Sequence, residues 1–277
     1  MRYADLHLHT DFSDGTLSPE GLVVEAKKSG VSCISIVDHD TVLGIAPALQ
    51  AGERESIEII PGIEMSAEYK GREVHILGYL IDFNNKNLKE KLALLKKNRV
   101  ERVHAIVKKL HALGIPLDAE SVLALAQSGV VGRLHIARAL VKEGFVQSTL
   151  EAFERFIADK GPAYVLGFKF SAEQAISLIA ASGGIPVLAH PHTLHDDALI
   201  VELVKIGMRG LEVYYPEHTA RMVETYVRVA KKHDLLVTGG SDFHGEAKEH
   251  VRIGMTKIPY ELVEQLKAAK KESHGKH

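Results

Sequence analysis

Short apolar runs rich in β-branched residues alternate along most of this chain with stretches of helical periodicity, and that rhythm leaves few folds open. Residues 2–6, 33–37, 58–60, 74–80, 185–189, 211–213 and 235–238 read as strands. Residues 19–29, 172–181, 198–205, 220–233 and 260–271 carry helical spacing. Such alternation builds βα units on a mostly parallel sheet. With seven strands, a closed or distorted barrel accommodates the pattern better than an open sheet. Residues 64–80 break the rule, reading as two strands that turn at Lys70-Gly71.

Strands stop between residues 88 and 161. Leu88, Leu92, Leu95, Val103, Ile106, Leu110 and Leu113 follow three- and four-residue steps and predict one long amphipathic helix. Shorter helices are expected at 118–127, 134–143 and 150–158. The chain therefore divides into an α/β barrel domain, residues 1–87 and 162–277, and an all-helical insertion, residues 88–161, whose place after the hairpin suits a lid. The end, residues 270–277, reads as a frayed tail.

Charge limits the partners. With 34 basic against 36 acidic residues, the chain lacks the basic stripe of a duplex-binding protein. Lys96, Lys97, Arg99, Arg102, Lys108 and Lys109 read as a solvated helix face. The one cysteine, Cys33, lies in an apolar run and reads as a buried thiol. No signal-peptide core precedes the first strand, and no run approaches the roughly 18 apolar residues of a membrane span. A cytoplasmic protein with no membrane and no stable protein partner is expected.

The 16 histidines equal the 8 Phe and 8 Tyr combined, and they are not scattered. In barrels of parallel strands, chemistry collects where strands end. There the sequence places His7-Leu8-His9, Asp38-His39-Asp40, Pro61-Gly62-Ile63-Glu64, His190 and Ser241-Asp242-Phe243-His244, with His75 from the hairpin and Asp14 from the first loop. In an extended chain His7 and His9 project to one side, as do Asp242 and His244. Mixed imidazole and carboxylate ligands suit Zn, Mn or Fe. The nine candidates exceed what one ion needs and point to two or three divalent ions sharing a bridging carboxylate. Paired ions of that kind hydrolyse phosphate esters. His104 and His111 lie too far apart on their helix to chelate, and they read as solvated together with His192, His195, His233, His250, His274 and His277.

These segments, with Ser13-Asp14-Gly15, Ala189-His190-Pro191 and Gly245, resemble in order the PHP (polymerase and histidinol phosphatase) family from residue 3 to about residue 260. The insertion and Tyr214-Tyr215-Pro216-Glu217-His218-Thr219 are most similar to its stand-alone bacterial subgroup. The resemblance implies a distorted (β/α)7 TIM-like barrel and a metal-dependent phosphoesterase. It implies that His7, His9, Glu64 and Asp242 hold a first ion and the catalytic water bridging the ions. Glu64 would reach a second ion bound by His75 and His190, and Asp14, His39 and His244 a third. Some members carry histidine in place of Asp14, which leaves the third position's occupancy open. Asp38 and Asp40 would orient ligand imidazoles. Gly132-Arg133-Leu134-His135 opens a helix whose N-terminus favours phosphate. Arg133, His135, Lys169 and His218 are therefore the candidate substrate contacts. The favoured reaction is removal of the 3′-phosphate from a nucleoside 3′,5′-bisphosphate. The alternatives are 5′-to-3′ exonuclease action on short RNA, histidinol phosphate hydrolysis, and a silent metal-binding scaffold.

Overall fold

In the computed structural model, which describes residues 2–126 and 129–274, the chain begins β1 (Tyr3–Leu8), α1 (Pro19–Lys28), β2 (Cys33–Ile36), α2 (Ile45–Glu55), β3 (Glu58–Tyr69) and β4 (Arg72–Tyr79). Four helices follow: α3 (Lys86–Ala112), α4 (Ala119–Leu125), α5 (Arg133–Lys142) and α6 (Thr149–Ala152). The rhythm resumes with β5 (Phe170–Ser171), α7 (Ala172–Ala181), β6 (Ile185–Leu188), α8 (Ala198–Lys205), β7 (Gly210–Tyr214), α9 (Ala220–Lys232), β8 (Leu236–Gly239), β9 (Ile258–Pro259) and α10 (Glu261–His274). Local chemistry fixes many starts. The side chains of Ser18, Asn85, Ser171 and Thr219 each accept from a backbone N–H in the first turn of the helix they precede.

The sheet runs β8-β7-β6-β4-β3-β2-β1-β9, with β5 pairing β3 off this path. It is mixed. β1, β2 and β3 pair in parallel, as do β6, β7 and β8, whereas β4 is antiparallel to both β3 and β6. The reversal comes from the hairpin, whose turn residues Lys70 and Gly71 both take positive φ, 51° and 76°. The sheet nearly closes where Leu8 bridges Phe243 and the His9 N–H reaches the Phe243 carbonyl at 3.0 Å. Seven staves thus surround a distorted TIM-like barrel.

Several elements differ from expectation. Helix α2 and the two-residue strands β5 and β9 were not anticipated. The expected helix 150–158 splits into α6 and a π-helical turn, Phe153–Ile157. The expected end of the 118–127 helix at Gln127 lies outside the described residues. The expected frayed tail continues α10 to His274 instead, and residues 275–277 lie outside the described residues.

The barrel interior packs Leu6, Val37, Tyr79 and Val187 against Val263 and Leu266 of α10. A separate cluster, including Val103, Ile106, Leu110, Ile136 and Leu140, fills the helical block. That block is tied to the strand ends. Arg99 bonds Asp40 and Ser66, Arg138 bonds the Asp14 carbonyl, and the Val130 N–H bonds the Phe12 carbonyl.

Candidate metal centre

A β-bulge aims the first histidines. Asp5 sits opposite Ile34 and Leu8 opposite Ile36, so three steps on β1 match two on β2. Below the shift, Ala4 and Leu6 join the interior cluster. Above it, His7 and His9 take the inward positions, both fully buried. Gly240, at the end of β8, permits this closure, because a Cβ there would lie 2.4 Å from the His7 backbone nitrogen.

Glu64, on β3, is the centre of the arrangement. Its Oε1 lies 2.9 Å from His75 Nδ1 and 3.1 Å from His190 Nε2. Its Oε2 lies 3.2 Å from the Nε2 atoms of both His7 and His9, and 3.4 Å from His39 Nδ1. Asp242 brings Oδ1 to 3.3 Å from the same two Nε2 atoms. Asp14 lies 3.2 Å from His244 Nε2, and 3.8 Å from both His9 Nδ1 and His39 Nε2. All nine residues singled out from the sequence therefore meet. The ligand atoms of eight of them, all but His190, fall into three groups: His7, His9 and Asp242; His39, Glu64 and His75; and His9, Asp14, His39 and His244.

The residues fit a metal. Both ring nitrogens of His9, Nδ1 of His39 and Oδ1 of Asp14 are buried without a hydrogen-bond partner. Buried polar atoms are rarely left so, and a divalent cation is the partner this donor set suits. Burial opposes charge on the carboxylates, yet the facing imidazoles hold Asp14, Glu64 and Asp242 well below the usual carboxylate range. The carboxylates in turn overcome burial to push His9 up to about 9 and His75 up to about 10. His39 goes the other way, pushed down to about 4 by burial.

Supporting contacts differ from expectation. Asp38 bonds the Thr10 backbone and the Thr10 and Ser13 hydroxyls, while Asp40 bonds Arg99 and the Ser66 N–H. They shape loops. The carboxylate behind the His7 ring is Glu212 of β7, fully buried. Its Oε1 lies 2.8 Å from His7 Nδ1, and its Oε2 accepts from the His190 N–H at 2.8 Å. Asp242 is also gripped on Oδ2, by the Tyr215 hydroxyl at 2.8 Å and Lys248 Nζ at 2.5 Å. Glu212, Tyr215 and Lys248 were missed because each is an ordinary residue in its own local pattern. Asp40, His190 and Asp242 all hold positive φ, which marks these strand ends as strained.

A cavity of about 130 Å³ adjoins the cluster. Asp14, His39 and His75 line it from the barrel, Arg99, Arg102 and Arg133 from the helices, and Phe168 and Lys169 from the following loop. Glu73 holds its cations together. Its Oε2 is 2.6 Å from Lys169 Nζ and 3.8 Å from Arg133 Nη2, and its Oε1 is 3.3 Å from His75 Nε2. Arg133 also bonds Asp159. The basic face of α3 is thus not uniformly solvated, since Arg99 and Arg102 turn into this cavity. His135 is buried, and its Nδ1 accepts from the Gly132 N–H at 3.2 Å, capping α5. His218 packs against His192 and Tyr215. Its Nδ1 meets the Val213 carbonyl at 2.8 Å, and its Nε2 lies 3.0 Å from His192 Nδ1. Neither lines the cavity. Among the other histidines, His104, His111, His195 and His250 are exposed as expected and His233 is half-buried, but His192 is largely covered. The His274 side chain and His277 lie outside the described residues.

The model of the PHP domain matches residues 5–159. The 5′-3′ exoribonuclease Rnm of Escherichia coli is 36% identical over 87% of this chain and 84% of its own length. The 3′,5′-nucleoside bisphosphate phosphatase of Chromobacterium violaceum is 30% identical over 92% of each. The solved structure of a metal-dependent phosphoesterase from Bifidobacterium adolescentis, 31% identical, aligns with a TM-score of 0.89 over 96% of this chain and 95% of that one.

Proposed function

Because the chain belongs to the PHP family of metal-dependent phosphoesterases, we propose that it removes the 3′-phosphate from nucleoside 3′,5′-bisphosphates. The observation that carries the reading is Glu64, ringed by five imidazoles at one end of a cavity that offers cations for a second phosphate. In this reading His7, His9, Glu64 and Asp242 would hold one ion, and Glu64, His75 and His190 would hold a second. Asp14, His39 and His244 would hold a third. Mn, Zn or Fe suits these donors. Such ions would supply a nucleophile from water at neutral pH and positive charge for the phosphoryl oxygens.

The chain's own residues position what reacts. Glu212 keeps the proton of His7 on Nδ1, so that Nε2 presents its lone pair to the site. Arg133, at the start of α5, and Lys169 grip the phosphate that is not cleaved. Segment 88–161 covers the cavity, tied down by Arg99 and Arg138. Water adds to phosphorus, the bond from phosphorus to the 3′ oxygen breaks, and that oxygen leaves with a proton as the 3′-hydroxyl. The products are a nucleoside 5′-phosphate and inorganic phosphate.

A second reading, 5′-to-3′ exonuclease action on short RNA, is supported by the greater identity to Rnm. Adenosine 3′,5′-bisphosphate and a labelled RNA ladder, each incubated with manganese-loaded protein, separate the two. Rapid phosphate release from the first with an intact ladder is expected. A ladder shortened stepwise from the 5′ end, without release from the bisphosphate, overturns the proposal in favour of the second reading.

A further inference from the structure

Phe168 is an aromatic ring left 47% exposed at a cavity otherwise rich in charge. It is not loose. Its ring packs edge-on against Phe170 at 5.6 Å, and Phe170 is buried where β5 joins β3. The cavity wall gives it neighbours. His75, facing Glu64, contacts Glu73, which pairs with Lys169, the residue next to Phe168 in the chain. One cavity therefore carries candidate metal ligands, a cation and an anchored, half-exposed aromatic. A nucleotide offers a matching set of parts: the phosphate that reacts, a sugar carrying a second phosphate, and a flat base.

We infer that Phe168 is the platform on which the nucleobase stacks, and that it makes this site select nucleotides over base-free sugar phosphates. The inference deepens the nucleotide phosphatase reading above and rests on it. Stacking on a ring tolerates any base, because every base has a π-face. Selection should therefore be for the presence of a base more than for its identity.

The test compares adenosine 3′,5′-bisphosphate with a base-free anhydroribitol 3,5-bisphosphate, in equilibrium binding and in turnover. Wild-type protein should bind the nucleoside ligand more tightly. Phe168→Ala should weaken that ligand roughly 5- to 150-fold, the range for losing one base–aromatic stack, and raise its KM with kcat little changed. The base-free ligand should be indifferent to the change, and Phe168→Tyr should restore the preference. Equal weakening of both ligands by Phe168→Ala, or no weakening of either, overturns the inference, as does a wild-type protein that binds them equally. A protein that prefers the nucleoside ligand through Phe168 yet releases no phosphate from it leaves the stacking role standing and refutes the phosphatase reading.

Discussion

Replacing Glu212 with glutamine removes one charge and almost no volume, and the geometry dictates what the amide must do. Each Glu212 oxygen has a donor facing it, the His7 ring nitrogen on Oε1 and the His190 N–H on Oε2. Glutamine has one oxygen and one NH2 group. The His190 N–H is backbone and can only donate, so the amide oxygen must turn toward it. The NH2 group then faces His7 Nδ1, which has to accept. The ring proton moves to Nε2, the atom 3.2 Å from Glu64 and 3.3 Å from Asp242. His7 can no longer ligate through that nitrogen. Loss of such an orienting carboxylate typically lowers metal affinity about 10- to 100-fold, or about 1.4–2.7 kcal/mol. Metal-free stability should fall only by about 1 kcal/mol, the difference between charge-assisted and neutral hydrogen bonds. Manganese titration by calorimetry, paired with urea unfolding of chelator-treated protein, reads both quantities. A folded Glu212→Gln protein that binds manganese as tightly as wild type refutes the tautomer argument.

Glu73→Gln should free Lys169, and loosen Arg133, for an anionic ligand. Because Glu73 is partly exposed and the pairs are screened, the KM for adenosine 3′,5′-bisphosphate should fall by no more than about fivefold, and a rise would show that Glu73 itself holds substrate. Cys33 is fully buried, and burial pushes its thiol well above the ordinary range. It should ignore a thiol-reactive disulfide reagent in native protein and react on unfolding, so rapid native labelling would contradict its placement. Burial pushes His135 down to about 4, so below its ordinary pKa of about 6.5 the unfolded chain takes up a proton that the folded one refuses. Its contribution should therefore erode stability as pH falls from about 6.5 toward 4. Urea midpoints of His135→Asn should fall less steeply across that window than those of wild type, and parallel slopes would count against the assignment.

Much of the fold was legible because its signals are local. Apolar runs marked the seven staves, and Lys70-Gly71 marked the turn that both residues' positive φ requires. What the sequence hid depends on pairing between distant segments. Phe170-Ser171 and Ile258-Pro259 are too short to carry periodicity, and they become strands only because β3 and β1 offer open edges. The direction of β4 follows from the hairpin, but its pairing to β6 on the other side is a tertiary choice.

The cluster of candidate ligands was legible for a different reason. Strand ends gather residues without the reader knowing which strands adjoin, so nine side chains could be named before any contact was known. The residues that aim the ligands obey no such rule. Glu212 sits inside a strand, and Asp38 and Asp40 flank a ligand yet turn toward loops. One missed feature did leave a trace. Along α3 the apolar stripe runs Leu88, Leu92, Leu95, then steps to Arg99 and Arg102 before resuming with Val103, Ile106 and Leu110. Helical spacing puts those arginines on the buried face, and a cation there needs a reason. Asp40 satisfies Arg99, and the Val165 carbonyl satisfies Arg102. Both still reach the cavity beside the ligands. The interruption of the stripe, more than the number of basic residues on the helix, is what marks the wall that an anionic substrate would meet.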